Sequence, residues 1–326
     1  MSRVALFTPY PPALPGGNNT TLERIARGLR GRGWEVFAVG PGEAPPEGID
    51  LFHALHAFKT GVAVRRRARE RGVPYVVSVT GTDLSEDLPD PARRADVVAV
   101  LEDAAAVLAP PGAPPEGVRA AWVVAPRGVE LPSDPGPEPL EGPVRFLHVG
   151  GWRRVKDNLF ALEPLGRLVA AGVALRLRYL GPVLEPGLRA QFTPGRWPFA
   201  EDGGVVPREA MVDEYRRAGV VLNTSRSEGA SNAVLEAMAA SRAVLASDVP
   251  GNRALVRFVP ERWEESTGVL YAGERDFEAK ARRLAGDRAL RARIGANART
   301  HVGLAHAPER ELDVVLEAYR RAGVGG

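Results

Sequence analysis

Two glutamates flank a turn of small residues in the segment 223–238, which reads NTSRSEGASNAVLEAM. Glu228 lies in the turn, and Glu236 lies inside the apolar helical pattern that follows it. The first turn of a helix has unpaired N–H groups and the positive end of the helix dipole, so a phosphate placed against Ser231 and Asn232 would be held by backbone alone. The segment therefore predicts an anion site with two carboxylates beside it.

The same turn indicates what kind of anion would bind. Gly229 and Ala230 let a phosphate approach the backbone closely. Helical side chains lean toward the N-terminus, so Glu236 can reach groups attached to that phosphate, whereas Glu228 stays on the loop side. Two carboxylates around a diphosphate suit a nucleotide sugar, because one can accept hydrogen bonds from ribose and the other from the sugar. The alternative is an ordinary capped helix with two solvated glutamates.

The run SEGASNAVLEAMA, followed by AVLASDVPGNRALV, resembles the donor-site signature of retaining glycosyltransferases of group 1, also called glycosyltransferase family 4. Through TGTDLSED, VKDN, YLGP and SEGAS it is most similar to a compact branch related to glycosyltransferase 1 domain-containing proteins. The resemblance implies the GT-B fold, an α/β architecture of two Rossmann-like doubly wound domains facing across a cleft. It also implies that Glu228 contacts the transferred sugar and that Glu236 contacts the ribose.

Alternating strand and helix patterns along the chain predict parallel, doubly wound sheets. The pattern begins with VALFT, restarts at VRFLHVGG, and is interrupted by the Pro/Gly/acidic run 131–143, which reads as an interdomain linker. We therefore expect an N-terminal acceptor domain over 1–135 and a nucleotide-sugar donor domain over 142–309. The resemblance implies that an amphipathic C-terminal helix, about 310–326, packs back on the first domain.

Loops at the carboxyl ends of the early strands are expected to bind ligands. Gly16 and Gly17 form one such loop, which resembles the family's N-terminal GG loop, facing the donor phosphates and the acceptor. The loop TGTD, with Thr82 and Asp83, resembles a segment on the acceptor side. Asp83 would equally well cap a helix or a turn, and a Gly-Gly pair is often only a turn.

Two histidines end the strand pattern DLFHALHAF. Either one alone would usually be structural. His56 lies five residues before Gly61, as the active-site histidine of the resembled family does before a small residue, whereas His53 occupies the place of a less critical one. We therefore assign the catalytic role, contact with the sugar's hydroxyls, to His56.

Residues 150–156 resemble the family's phosphate loop, in which an Arg and a Lys hold the diphosphate. Gly150 and Lys156 match, but the usual Arg position is occupied by glycine, so Arg153 or Arg154 must replace it. Fixed cations are chemically required there, because charge develops on the diphosphate when the sugar leaves. Val205 lies where the family stacks its nucleotide base.

Amino-acid composition indicates which other partners and which compartment to expect. The 326 residues carry a net charge of only +3 and no Cys, and no apolar run approaches membrane-spanning length. We therefore expect a cytoplasmic protein that does not bind nucleic acid. The basic stretch Arg65–Arg71 reads as a solvated helix face, with peripheral membrane contact as the alternative. Abundant Arg and Pro fit a thermophile or high-GC coding.

The expected function is a glycosyltransferase that moves a sugar from a UDP- or GDP-sugar to a small-molecule, glycan or lipid-linked acceptor. The chain contains no Asp-x-Asp pair, so we expect no metal or other cofactor, with cations and the helix start at Ser231 doing a metal's electrostatic work. Three alternatives remain at this stage: an epimerase of the same fold, an enzyme that uses phosphate as acceptor, and a protein that binds nucleotide sugars without turnover.

Overall fold

A computed structural model of the chain describes residues 1–14, 16–111, 114–139 and 142–325. The chain divides into two compact units. Unit 1 comprises Met1–Gly128 together with the segment that begins at His306, and unit 2 comprises Val129–Ala305. The sequence patterns place the corresponding boundaries at about residues 135 and 310.

The strands and helices follow one another as the alternating pattern predicts. The strands are β1 (Arg3–Phe7), β2 (Glu35–Val39), β3 (Leu51–Leu55), β4 (Tyr75–Ser78), β5 (Ala106–Ala109), β6 (Trp122–Val124), β7 (Val144–Val149), β8 (Leu175–Leu180), β9 (Ala200–Asp202), β10 (Val220–Asn223), β11 (Ala243–Ser247) and β12 (Val269–Tyr271). The helices are α1 (Gly17–Gly31), α2 (Val62–Arg71), α3 (Arg94–Asp103), α4 (Leu162–Ala170), α5 (Pro186–Arg189), α6 (Met211–Arg217), α7 (Asn232–Ala239), α8 (Pro250–Arg253), α9 (Glu274–Gly286), α10 (Arg288–Ala305) and α11 (Pro308–Arg321).

Within the described residues, each unit contains one parallel six-stranded sheet. The order is β2-β1-β3-β4-β5-β6 in unit 1 and β12-β11-β10-β7-β8-β9 in unit 2. Central strands such as β3 and β10 are buried along their whole length, as expected when helices cover both faces of a parallel sheet. The chain is therefore an α/β protein with two doubly wound units.

The strand orders locate the binding crevices. In a doubly wound sheet, ligands bind outside the carboxyl ends of the two strands at which the order reverses. That point lies between β1 and β3 in unit 1 and between β7 and β10 in unit 2. The loops that leave these strands contain the residues that the sequence singles out.

The C-terminal helix α11 belongs to unit 1 and is held there by polar and apolar contacts. Its Glu311 accepts two hydrogen bonds from Arg24 of α1, at 2.5 and 3.0 Å. Tyr319 donates to or accepts from His53 at 2.8 Å, and Leu312 packs against the backbone of α1 at Gly28. The last helix therefore completes the core of the N-terminal unit.

The described part of the Pro/Gly/acidic run, 131–139, packs on unit 2. The buried guanidinium of Arg242 donates to the carbonyls of Pro135, Gly136 and Pro137 at 2.7–2.9 Å. Arg291 pairs with the buried carboxylate of Glu138 at 2.5 Å. Leu140 and Glu141, which the linker prediction also covers, lie outside the described residues. Composition predicts a linker here, whereas arginines distant in sequence hold the described part against one unit.

Candidate active site

Four side chains, from the segment after β7 and from the end of β10 and the loop after it, meet at the switch point of unit 2. Lys156 lies in the loop after β7, and its ammonium forms an ion pair with the carboxylate of Glu228 in the loop after β10. The same Glu228 oxygen accepts from Asn223 at 2.9 Å and from Ser225 at 2.7 Å. The structure thus brings together two sequence-predicted residues that are far apart in the chain.

This environment controls the charge of Glu228. Burial alone would raise the pKa of its carboxyl group, but the Lys156 ammonium and the hydrogen bonds from Lys156, Ser225 and Asn223 outweigh burial and hold the pKa below its usual value. Glu228 is therefore an anion at neutral pH. It balances the charge of the Lys156 ammonium.

Helix α7 begins beside this ion pair. Ser231 is its N-cap, and its hydroxyl accepts from the backbone N–H of Val234 at 3.4 Å and from Asn223 Nδ2 at 3.2 Å. The following Asn232 is the first helical residue, and Gly229 and Ala230 form the approach to it. The positive end of the helix dipole thus lies in the same loop as Glu228.

The turn around Glu228 is held in place by residues of α8. A side-chain carbon at Gly251 would lie 2.2 Å from the backbone oxygen of Glu228, so only glycine fits. Asn252 donates to Asn223 Oδ1 at 3.1 Å and to Ser247 O at 2.9 Å. The PGN triplet of the signature therefore positions the Glu228 turn.

Glu236 lies about one turn into α7, where Tyr215 orients it. The Tyr215 hydroxyl donates to Glu236 Oε2 at 2.8 Å. Burial and the nearby Glu236 carboxylate raise the pKa of Tyr215 well above its usual value, so it remains a donor. The α6 pattern that contains Tyr215 gave no sequence signal for this role.

The two arginines in the loop after β7 differ in their contacts. Arg154 is exposed, and its guanidinium lies 3.7 Å from the carboxylate of Glu185. Among the described residues, the Arg153 guanidinium has no hydrogen-bond or ion-pair partner. Gly150, at the start of the loop, packs against the Lys156 side chain. Of the two candidates, Arg153 is thus the one whose guanidinium has no carboxylate beside it among the described residues.

Val205 follows β9 at the carboxyl edge of the same sheet. Its side chain is 51% exposed. The backbone of Gly204 connects this loop to β8, because the Gly204 carbonyl accepts from Gly181 N at 2.8 Å. Val205 thus presents an apolar surface to solvent at the carboxyl edge of the unit 2 sheet.

His148, a residue that the sequence analysis missed, lies beneath the Lys156 loop. Its Nε2 contacts Thr224 Oγ1 at 2.9 Å, and that hydroxyl lies 2.8 Å from the carbonyl of Lys156. Burial, then the Lys156 ammonium, lower the pKa of His148 to about 4. A neutral His148 therefore supports the loop that positions Lys156. Its only sequence signal is its place at the end of a strand.

In unit 1, His56 follows β3 with a backbone φ of 104°. This is an uncommon, strained conformation for a residue other than glycine. Its Nδ1 accepts from Lys59 N at 3.2 Å, so in neutral His56 the proton is on Nε2, which lies 3.1 Å from Thr82 Oγ1. The fold therefore selects one tautomer and aims its N–H at the Thr82 loop.

Asp83 is fully buried and has a structural role. Its carboxylate accepts from the backbone N–H groups of Ala57, Thr80 and Gly81 at 2.8–3.1 Å. These bonds join the loop after β4 to the loop that contains His56. Of the two roles that the sequence left open for Asp83, the structure shows turn stabilisation.

Asp87 is a second carboxylate near His56, and the sequence analysis missed it. Its Oδ1 pairs with Arg93 at 2.7 Å, and its buried Oδ2 lies 3.6 Å from His56 Nε2. Among the described residues, Oδ2 has no hydrogen-bond partner. A proton gained by His56 would therefore be stabilised by Asp87.

Gly16 and Gly17 mark the start of α1 after the loop that leaves β1. Gly16 is the exposed N-cap, and Gly17 is the first helical residue. Asn19 fixes the loop by donating to the carbonyls of Pro11 and Leu14 at 2.8 and 2.7 Å. Helix α1 thus begins at the switch point of unit 1.

The basic stretch is extensively paired with nearby acids. Arg65 and Arg69 both bind Asp103, at 2.5 and 2.6 Å, and Arg71 lies 3.1 Å from Glu47. These pairs place the stretch on a solvated helix face. Among the described residues, no helix is both long and apolar enough to cross a membrane.

His53 is wholly buried and bonded at both ring nitrogens, to Tyr319 and to Ser78 at 2.8 Å each. Burial lowers its pKa to about 3. The unfolded chain, with a His pKa near 6.5, binds a proton that the folded protein excludes, so folding stability is full above about pH 6.5 and declines as the pH falls toward 3.

We expect this histidine to make unfolding strongly pH-dependent. The stability lost between pH 7 and pH 5 should be about 2 kcal/mol smaller in His53→Gln than in the unmodified protein, because glutamine has no proton to bind. Urea unfolding at several pH values measures the difference. Parallel stability-pH curves for the two proteins would contradict the buried, neutral state of His53.

Taken with the fold, this geometry defines a class of protein: an α/β protein of two Rossmann-like units in which a buried ion pair and a helix start meet at a switch point. A family model described as "Glycosyl transferase-like" matches residues 153–317, just over half of the chain. The chain belongs to this family and is a glycosyltransferase.

Individual proteins agree with this assignment. Glycosyltransferase 1 domain-containing protein 1 of Xenopus tropicalis is 26% identical, covering 91% of this chain and 92% of that protein. Sucrose-phosphate synthase of Thermosynechococcus elongatus is similar in structure, with a TM-score of 0.81 at 19% identity over 98% of this chain and 99% of the other. HepE of Anabaena, solved with UDP and glucose, has a TM-score of 0.78 at 16% identity, covering 98% and 100%. These likenesses confirm the GT-B fold.

Proposed function

We propose that the enzyme transfers a sugar, with retention of anomeric configuration, from a UDP- or GDP-sugar to a hydroxyl-bearing acceptor, as enzymes of glycosyltransferase family 4 do. The observation that carries the proposal is the Lys156–Glu228 ion pair at the start of α7. A pyrophosphate would replace Glu228 as the partner of Lys156. That exchange would free the carboxylate to accept hydrogen bonds from the sugar.

Three positive groups support diphosphate binding in unit 2: the Lys156 ammonium, the Arg153 guanidinium and the N-terminus of α7. They belong to loops that the fold holds in place, so they need no reorganisation when negative charge develops on the leaving diphosphate. We propose that they make a divalent metal unnecessary. Transfer that persists undiminished in EDTA would support this, and loss of activity that Mg²⁺ restores would refute it.

Glu236 is the proposed ribose ligand. Its Oε2 accepts from Tyr215, which orients the carboxylate, and an ionised carboxylate has enough acceptor sites to bind a ribose hydroxyl as well. Val205 offers an exposed apolar surface for the base. Because HepE of Anabaena is described in complex with UDP, a uridine donor is the first to test.

His56 is proposed to donate its Nε2–H to a sugar hydroxyl. Thr82 Oγ1 occupies that donor in the observed geometry at 3.1 Å, and a ligand hydroxyl would take its place. For the chemistry we propose that the leaving phosphate oxygen accepts the proton of the acceptor hydroxyl while the new glycosidic bond forms on the same face. No protein nucleophile takes part in this step.

A panel of nucleotides and nucleotide sugars tests the proposal by thermal shift and by release of free nucleotide. The true donor should stabilise the fold most, by about 2.7 kcal/mol at a hundred times its Kd. NMR of the product then gives its anomeric configuration. Binding of no nucleotide sugar would refute the donor assignment, and an inverted product would refute retention.

The same assay separates three alternatives. An epimerase of this fold would change the donor with no acceptor present, and an enzyme that uses phosphate as acceptor would release nucleotide only with phosphate. A binding protein without turnover would be stabilised by nucleotide sugar yet release no nucleotide with any acceptor. Turnover is favoured over binding alone, because Lys156, Arg153 and the start of α7 could stabilise a leaving diphosphate.

A further inference from the structure

Unit 2 contains a cavity of about 210 Å³ away from the proposed donor site. It lies at the starts of β7, β8 and β9, next to the end of α6. Arg145 on its wall precedes Gly150 by five residues along β7, a distance of roughly 16 Å at 3.3 Å per residue. The cavity is therefore at the opposite end of the strand from the Lys156 loop.

The cavity wall holds two arginines directly opposite each other. Arg145 of β7 is in register with Arg176 of β8, and residues in register on parallel strands point to the same face of the sheet. Like charges facing each other across strands destabilise a sheet. An arrangement of this kind becomes favourable when an anion lies between the two guanidinium groups.

The acids around the cavity are already engaged with other arginines. Arg178 pairs with Glu201 at 2.9 Å and with Glu214 at 3.1 Å, and Arg217 lies 3.8 Å from Glu214. Among the described residues, neither Arg145 nor Arg176 has a carboxylate partner; Arg176 donates to the carbonyl of Pro198 at 3.0 Å.

The charges of the described lining residues therefore sum to an excess of two positive charges. Four arginines, at positions 145, 176, 178 and 217, face two glutamates, at 201 and 214. Arg145, Arg176 and Arg217 are exposed, so their guanidinium groups are open to an anion from solvent. The cavity is suited to a compact anion that carries about two charges.

We propose that this cavity binds a phosphate group. The planar forks of Arg145 and Arg176 can each donate two hydrogen bonds to one tetrahedral anion, and a phosphate carries the two negative charges that the cavity lacks. The space corresponds to about seven waters at roughly 30 Å³ each, so it accepts a phosphate with an attached fragment. That phosphate belongs either to a small phosphorylated molecule or to a lipid headgroup.

Arg145→Gln is the variant that tests the site, because it removes one charge and no described hydrogen bond. Its matched control is Arg275→Gln on the exposed surface of α9, which loses the same charge elsewhere. Calorimetric titration with inorganic pyrophosphate at about 0.15 M salt is the measurement. Pyrophosphate bound at other places contributes equally to both variants.

We expect Arg145→Gln to weaken pyrophosphate binding at least about tenfold relative to Arg275→Gln, since charged hydrogen bonds to the anion are lost. Equal affinities in the two variants, or no binding by the unmodified protein, would overturn the site. A structural role for Arg145 would appear as a lower melting temperature of Arg145→Gln in phosphate-free buffer. We expect no such loss, and observing one would also overturn the proposal.

Vesicles distinguish the two sources of the phosphate. Arg145-dependent binding to phosphatidic acid vesicles, whose phosphomonoester can carry two negative charges, with none to phosphatidylcholine vesicles, identifies a lipid headgroup. Pyrophosphate binding that depends on Arg145, with no vesicle binding, identifies a small phosphorylated molecule. Vesicle binding that Arg145→Gln and Arg275→Gln weaken equally reports only net charge and counts against the site. Since Lys156 is intact in both variants, failure here leaves the donor site untouched.

Discussion

Replacing Lys156 by methionine is expected to slow sugar transfer by about 10²–10³-fold, the usual cost of removing one group that stabilises charge in the transition state. It should also destabilise the fold by about 3 kcal/mol, because Glu228 would remain as a buried carboxylate without its cation. Initial rates with the identified donor and urea unfolding measure the two effects separately.

The double variant Lys156→Met/Glu228→Gln separates catalysis from folding. With neither charge buried, its stability should return to near that of the unmodified protein, whereas its transfer rate should stay low. Arg154→Gln is the control from the same loop, since Arg154 is exposed and only pairs with Glu185; it should change either quantity little. A double variant that regains transfer together with stability would show that Lys156 acts only through folding.

The part of this site that could be predicted is the part that is local in sequence. Ser231 and Asn232 begin a helix because a capping hydroxyl and an apolar helical run are adjacent in the chain. The loops also lie at the carboxyl edges of their sheets because parallel strands separated by helices all end on one side. Such features follow from patterns within ten to fifteen residues.

What could not be predicted depends on contacts between distant segments. Nothing near Glu228 in sequence indicates that Lys156 neutralises it, since the two are 72 residues apart. Tyr215 and Glu236 likewise meet only when α6 and α7 pack on the sheet. The pKa of Glu228 is a property of that packing, because burial and the Lys156 charge act in opposite directions.

The segment 131–139 shows what amino-acid composition can and cannot predict. Proline, glycine and acidic residues disfavour helix and strand, so they correctly predict irregular backbone. They do not predict where that backbone lies, which here is set by the carbonyls that Arg242 binds more than a hundred residues later. Asp83 is similar, because its sequence neighbours fit both a ligand contact and a turn, and only the structure shows that its carboxylate accepts from Thr80 N and Gly81 N within the turn and from Ala57 N in another loop.

Arg24→Met is expected to lower the free energy of unfolding of unit 1 by about 3 kcal/mol or more. The Arg24–Glu311 pair joins α1 to α11, and both side chains are about 5% exposed. Removing the guanidinium leaves Glu311 buried with a charge and without the two hydrogen bonds it accepts. Urea unfolding, followed by tryptophan fluorescence, gives the change.

The same two helices supply a matched control. Arg32 and Asp313 also join α1 to α11, at 3.5 Å, but their side chains are 51% and 65% exposed. Arg32→Met should therefore cost less than about 1 kcal/mol. The double variant Arg24→Met/Glu311→Met should recover most of the loss, because well-packed apolar groups replace a buried ion pair at little cost. Equal losses for Arg24→Met and Arg32→Met would contradict the view that burial, more than pairing, makes the Arg24 contact important.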